Sequence, residues 1–189
     1  MRIISGSHRG KVLRPPLGLP VRPTTDMAKE SLFNILNNNI DFEDVKVLDL
    51  FAGTGNISLE FASRNAISVL SIDSSSSCIA YISKMATELK FNNLSAIQAN
   101  VFSFLARPSG RYDVIFADPP YNLPDREKIP GLVFDHNWLA DEGWLVMEHD
   151  KYINFKENLY FTEERRYGKI HFSFFSKSLP QTVEDQEVG

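Results

Sequence analysis

The chain is predicted to fold as an α/β protein around a doubly wound, mostly parallel sheet. Three features carry that expectation. From residue 46 onward, short apolar runs alternate with stretches of helical periodicity, and strands separated by helical crossovers pair in parallel. A turn containing Gly53 and Gly55 follows the first of those runs and leads into the first crossover helix. The last two predicted strands turn at Tyr167-Gly168, with too few residues between them for a crossover, so the sheet should close with a C-terminal antiparallel strand.

Residues 1–23 hold Gly6, Gly10, Pro15, Pro16, Gly18, Pro20 and Pro23 and read as an arm with one short hairpin, 2–5 against 11–14. Thr24 or Thr25 is placed to cap the first helix, with Asp26 in its first turn. That helix should run to about Asn37, with Ala28, Leu32, Ile35 and Leu36 as its buried stripe. Strands are predicted at 46–50, 69–72, 96–99, 112–117 and 144–149, and helices around 58–63, 76–89, 102–105 and within 127–137. Two strands, 160–166 and 170–176, finish the fold. The organisation is then a basic arm over 1–23, one α/β domain over 24–178 and an acidic tail over 179–189.

At 189 residues, with 43% hydrophobic and 23% charged, the chain suits one globular domain with a sizeable core. No apolar run approaches the length needed to span a bilayer, and the start of the chain has no apolar signal segment, so a cytoplasmic protein is expected. Cys78 is the only cysteine, which excludes an intrachain disulfide and argues against a cysteine-based metal site; no metal is expected. The net charge of −4 is unevenly spread. Arg2, Arg9, Lys11, Arg14 and Arg22 all precede the first acidic residue, Asp26, so the head carries +5 and the remainder −9. A basic arm with glycine and proline can lie along nucleic-acid phosphates, which makes Arg9, Lys11, Arg14 and Arg22 candidate contacts.

Three strand ends offer partners for one ligand. The loop Asp49-Leu50-Phe51-Ala52-Gly53-Thr54-Gly55-Asn56 joins the first strand to its helix, and Gly53 and Gly55 let the backbone turn tightly and approach a ligand. A dinucleotide fingerprint would have a third glycine at position 58, where this chain has Ser58, which disfavours a nicotinamide dehydrogenase. Asp49 can hold the ammonium of a methionine-like ligand, directly or through water. Asp73, closing the second strand, can accept both ribose hydroxyls. Asn100-Val101, after the third strand, offers an amide and an apolar wall to adenine. Ammonium, ribose and adenine together describe S-adenosylmethionine.

The tetrapeptide Asp118-Pro119-Pro120-Tyr121 ends the fourth strand, at the sheet edge where ligands bind in open α/β folds. It suits methyl transfer to an exocyclic amine of a flat base, whose lone pair is delocalised into the ring. Asp118 and the carbonyl of Pro119 can accept the amine hydrogens and so localise that pair. Proline has no N–H and a fixed φ, so the turn is stiff. Tyr121 offers a face for an extruded base. His149-Asp150 reads as a strand exit, since adjacent residues on a strand point to opposite faces; Glu148 reads as a loop cap, and Trp138 and Trp144 as core.

These residues resemble the RsmD-type 16S rRNA guanine-N2 methyltransferase family. The likeness covers Arg2-Ile3-Ile4-Ser5-Gly6, Arg9-Gly10-Lys11, Arg22-Pro23-Thr24-Thr25-Asp26, Glu30-Ser31-Leu32-Phe33-Asn34-Ile35-Leu36 and both sheet motifs. The sheet motifs are shared by many amino-methyltransferases, whereas the head makes the likeness specific. It implies a Rossmann-like class I fold, S-adenosylmethionine as methyl donor, and transfer to N2 of the base known as guanine 966 in 16S rRNA, within a small-subunit assembly particle. It places Arg22, Pro23 and Thr24 near cofactor and substrate. Met27 stands where many members carry arginine, and Asn100 and Asp73 stand where aspartate and glutamate are frequent. The residues by themselves leave two other readings open: an adenine-N6 methyltransferase on DNA or RNA, and a binding module that grips rRNA without chemistry.

Overall fold

A computed structural model of the chain describes residues 1–16, 18–19 and 26–177. The expectations for Arg22, Pro23, Thr24, Thr25 and the tail over 179–189 fall outside the described residues. Twelve regular elements follow in order: α1 (Asp26–Asn37), β1 (Lys46–Leu50), α2 (Asn56–Ser63), β2 (Ser68–Asp73), α3 (Ser76–Glu88), β3 (Leu94–Gln98), α4 (Val101–Leu105), β4 (Tyr112–Ala117), α5 (Ile129–Asp135), β5 (Leu139–His149), β6 (Phe161–Tyr167) and β7 (Ile170–Phe175). The strands form one seven-stranded sheet in the order β3-β2-β1-β4-β5-β7-β6. The pairs among β1 to β5 are parallel, and β7 is antiparallel to both β5 and β6.

Alternation along the strands separates two apolar layers. Val47, Val69, Val114, Phe116 and Val146 face α1, α2 and α3, whereas Leu48, Leu50, Ile72, Ile115 and Leu145 face α4 and α5. Both faces of the central strands are therefore covered, which is why they read as near-continuous apolar runs. α3 is capped by Ser75, whose hydroxyl accepts from the Cys78 N–H, and it buries Cys78, Tyr81, Ile82, Met85 and Ala86. Trp138 is fully buried, donates its indole N–H to the Leu105 carbonyl at 2.8 Å and stacks on Phe104.

Several boundaries differ from the sequence reading. β3 starts at Leu94 rather than residue 96, because its pairing with β2 begins there, at Val69. β5 starts at Leu139 rather than residue 144, because Leu139 pairs with Tyr112 before a bulge restores register at Trp144. The buried side of α1 includes Lys29 and Phe33, while Ile35 is only half-buried. Glu148, read as a loop cap, lies buried within β5. The head forms one antiparallel bridge, Arg2 to Val12, around a single helical turn at Gly6–His8, instead of two hairpin strands.

The head is packed onto the sheet's helices. Ile3 and Leu13 are buried in the same cluster as Leu32, Phe33 and Phe61. Each such burial is worth about 1.5–3 kcal/mol, against about 0–1 kcal/mol for an exposed ion pair such as Arg2–Asp26. Gly6, at φ +80, lies so close to α2 that a Cβ would come within 1.8 Å of the Ser63 carbonyl oxygen, so only glycine fits.

At the opposite edge, His149, Glu164 and His171 bring their polar atoms within 4.8 Å of one another. The His149 Nδ1 faces the Asp150 carbonyl at 2.7 Å. A carbonyl only accepts, so Nδ1 carries the proton and Nε2 accepts from the Ser173 hydroxyl at 2.8 Å. Glu164 pairs with Arg166 at 2.5 Å and with His171 at 3.5 Å. This network knits β5, β6 and β7.

Candidate active site

The strand order reverses between β1 and β4, and a crevice for ligands opens outside the carboxyl ends of strands at such a point. The Asp118 N–H donates to the Leu50 carbonyl at 3.4 Å, so the tetrapeptide after β4 starts beside the loop after β1. The Ala52 N–H donates to the Ile72 carbonyl at 3.0 Å and the Gly55 N–H to the Ala52 carbonyl at 2.7 Å, which curls that loop back over the sheet edge. Phe51 lies in the left-handed region at φ 62, a strained conformation for a bulky residue and one that concentrates at functional loops. Gly55 has φ 71, and a Cβ there would come within 2.8 Å of Ile82, so the glycine is what lets α2 start against α3.

The carboxylates of this rim are deployed as follows. Asp49 is buried and accepts from the Ser58 N–H at 3.1 Å and from the Ser58 hydroxyl. Burial pushes its pKa up to about 7, against the Ser58 hydrogen bonds and with a further push from Asp73. Asp73 accepts from the Gly53 N–H at 2.8 Å with one oxygen and from the Ser75 N–H at 2.8 Å with the other, so it clamps the β1 loop to the end of β2. An ionised carboxylate has about four acceptor sites, so both ribose hydroxyls can still be bound there. Asn100 caps α4 by accepting the Ser103 N–H at 3.1 Å, and Val101 beside it is buried.

Beyond β4, Asp118 is half-buried, Pro119 buried, Pro120 exposed and Tyr121 half-buried. The Leu123 N–H closes a turn on the Pro120 carbonyl at 2.8 Å. The Arg126 guanidinium lies over the Tyr121 ring, 5.5 Å from its centroid, and reaches both Asp150 carboxylate oxygens at 3.1 and 3.3 Å. Neither Arg126 nor Asp150 had a role at this rim in the sequence reading.

The head reaches the same rim. The Lys29 ammonium donates to the Arg2 carbonyl at 2.5 Å and to Asn56 Oδ1 at 2.8 Å, and pairs with Glu60 at 3.4 Å. Glu60 is fully buried and also accepts from the Ile4 N–H, the Ser5 N–H and Arg64 Nε at 2.8 to 3.0 Å. Burial pushes the Lys29 pKa down, and Glu60 counters it. Thr54 in the cofactor loop bonds Met1 Sδ at 3.4 Å. Arg9, Lys11 and Arg14 are exposed. The signal for the clamp was Glu60 inside an otherwise apolar and small-residue helix.

The donor set fits S-adenosylmethionine. A buried carboxylate with hydroxyl and N–H donors but no cation among the described residues is suited to an ammonium group, and the glycine turn leaves a cradle that a Cβ at Gly55 would fill. Sheet order and rim together define a Rossmann-like methyltransferase of the class that uses S-adenosylmethionine. The family model described as Conserved hypothetical protein 95 matches residues 1–176, and the chain belongs to that family. It is 30% identical over 179 residues to Ribosomal RNA small subunit methyltransferase D of Buchnera aphidicola subsp. Baizongia pistaciae, covering 93% of this chain and 91% of that protein. It is 36% identical over 150 residues to the protein of the same name from Escherichia coli strain K12, covering 79% and 75%. The solved Escherichia coli chain yhhF, named as a candidate methyltransferase, is similar with a TM-score of 0.82 at 31% identity, over 95% of this chain and 99% of that one. The resemblance read from the head and the two sheet motifs is borne out.

Proposed function

We propose that this protein transfers a methyl group from S-adenosylmethionine to the exocyclic N2 amine of a guanine in small-subunit rRNA. The observation that carries the reading is the meeting, at the β1/β4 switch point, of the glycine turn over Asp49 with the Asp118-Pro119-Pro120-Tyr121 turn. The relatives named as rRNA small subunit methyltransferases support the substrate.

Bound S-adenosylmethionine supplies an electrophilic methyl group on a sulfonium. Asp49 would hold its ammonium, Asp73 its ribose hydroxyls, and Asn100 and Val101 its adenine, with Phe51, Gly53 and Gly55 lining the cradle; Thr24, outside the described residues, is assigned to the same cradle by the family resemblance. Asp118 and the Pro119 carbonyl accept the two amine hydrogens, and Pro120 keeps the turn stiff. Tyr121 stacks on the extruded base. The amine nitrogen, its lone pair localised, would attack the methyl carbon as the carbon–sulfur bond breaks and the sulfur leaves as a neutral thioether, and the nitrogen would then lose one proton to Asp118 or water. Catalysis is mainly positioning and electrostatic preorganisation. Arg9, Lys11, Arg14 and Arg22 contact phosphates, in a cytoplasmic assembly particle rather than naked RNA.

The test incubates the purified protein with methyl-labelled S-adenosylmethionine and small ribosomal subunits that lack this modification, alongside protein-free rRNA, and analyses the nucleosides. N2-methylguanosine at one position, formed faster in the particle, is the expected product. N6-methyladenosine overturns the base assignment, and an absence of transfer with tight rRNA binding favours the non-catalytic module.

A further inference from the structure

The turn after β4 must do more than present Tyr121; it must keep the ring still. The residues that follow it provide little for that, since Asn122, Pro124 and Asp125 are exposed and only Leu123 is half-buried. The Arg126 guanidinium lies over the ring, at 5.5 Å from the centroid. Arg126 is 8% exposed, unusual burial for an arginine.

Its other anchor is Asp150, the first residue beyond β5, on the strand that neighbours β4. Asp150 is itself fixed from two more sides. Its carboxylate accepts the Tyr152 N–H at 3.0 Å, and its carbonyl accepts the His149 Nδ1–H. The path therefore runs from the β5/β7 network, through Asp150 and Arg126, to the aromatic ring of the catalytic turn. An ion pair between a buried arginine and a partly buried aspartate is a modest device for stability, since desolvation offsets part of its attraction. The Arg126 Nη1 atom is buried with no hydrogen-bond partner, so the cation does not complete a polar network either. Its geometry serves the ring, where a cation over the face is attracted by the π quadrupole.

We propose that Arg126, held by Asp150, is a positioning residue that orients the Tyr121 ring as the stacking platform for the target base. The proposal rests on the reading of Tyr121 given above. Arg126 acts through Tyr121 and does not touch the reacting atoms. The guanidinium lies over one face of the ring and so fixes the plane in which the ring is presented. Losing it frees the ring to rotate, which lowers the fraction of bound bases in attack geometry and shows in kcat before KM.

The experiment measures kcat and KM on unmodified small ribosomal subunits, with cofactor binding by calorimetry, for Arg126→Met, Arg126→Lys, Tyr121→Leu and Arg126→Met combined with Tyr121→Leu. Arg126→Met should lower kcat about tenfold, as small misplacements at a reacting centre do, with KM within about twofold and cofactor affinity unchanged. Arg126→Lys, which keeps a cation over the ring, should recover most of the loss. In the Tyr121→Leu background, Arg126→Met should add nothing, because the group it positions is gone. A merely structural arginine predicts the opposite: losses that multiply and no rescue by lysine. Should Arg126→Met fail to fold, Asp150→Asn, which removes the charge that fixes the guanidinium, should give the same signature at smaller size. Wild-type kcat in Arg126→Met, or in a folded Asp150→Asn, overturns the proposal alone, since wild-type methylation of guanine would still stand. A wild-type protein that labels no guanine overturns the functional reading and this proposal with it.

Discussion

Two buried carboxylates lie on either side of the cofactor loop, and they are treated in opposite ways. Glu60, in α2, meets the Lys29 ammonium, the Arg64 guanidinium and two backbone N–H groups. Asp49, in β1, meets the Ser58 hydroxyl and N–H and no cation among the described residues. Glu60 is a completed clamp: it joins the head to the domain and has no acceptor capacity to spare for a ligand. Asp49 is an uncompensated charge, and burial accordingly drives its pKa to about 7. A buried carboxylate that lacks a cation is prepared to receive one. On the function proposed above, the difference separates a carboxylate kept for architecture from one kept for the cofactor's ammonium.

The largest effect concerns neither of them but the turn after β4. Asp118→Ala should lower methyl transfer by at least about 10²–10³-fold, the scale of losing one preorganised partner in a transition state, while calorimetry shows cofactor binding nearly intact. Full activity in that variant would remove Asp118 from the mechanism. Next comes the clamp. Glu60→Ala should cost about 3–5 kcal/mol in denaturant unfolding, because it strands a buried ammonium. Adding Lys29→Met should recover part of that loss; simple additivity would mean that the two residues are not a coupled pair.

Asp49 should behave differently. Its carboxyl titrates near 3.8 when unfolded and near 7 when folded, so the native state holds the proton more tightly. Stability of the free protein should fall as pH rises between those values and level off above about 7. Asp49→Asn should therefore leave the free protein as stable at pH 8, or more so, yet bind S-adenosylmethionine about tenfold more weakly. In the wild type, calorimetric affinity should rise as pH passes through about 7, and in Asp49→Asn that slope should be flat. A wild-type affinity independent of pH would dissociate Asp49 from the ammonium. The smallest effect belongs to the head's surface. Arg9→Glu with Lys11→Glu should weaken rRNA binding and make its salt dependence shallower, by about 0.7 in log–log slope for each single-strand phosphate that is no longer neutralised. An unchanged slope means that these side chains do not touch phosphate.

The two motifs that define the rim were legible as residues because each needs a backbone property that few side chains allow. Gly55 must take φ 71 against Ile82, and the prolines after Asp118 stiffen the strand exit. Ser58 was legible only as an absent glycine; that its hydroxyl serves Asp49 depends on the pitch of α2 over β1, which no local pattern encodes. Lys29 had no place in the buried stripe read for α1, because nothing in that helix says that Glu60, 31 positions away, is buried opposite it. Arg126 and Asp150 are separated by 24 positions and meet only because β5 lies beside β4.

The order of elements, the parallel sheet with its closing antiparallel pair, the glycine turn after β1 and the Asp118-Pro119-Pro120-Tyr121 turn after β4 followed from the sequence alone, since periodicity, glycine and proline act within a few residues of themselves. Which buried charges find partners, how the head locks onto α2 and what holds Tyr121 were decided by tertiary structure. The reason is physical: the energy of a buried charge is set by what surrounds it in space, and those neighbours arrive from distant parts of the chain.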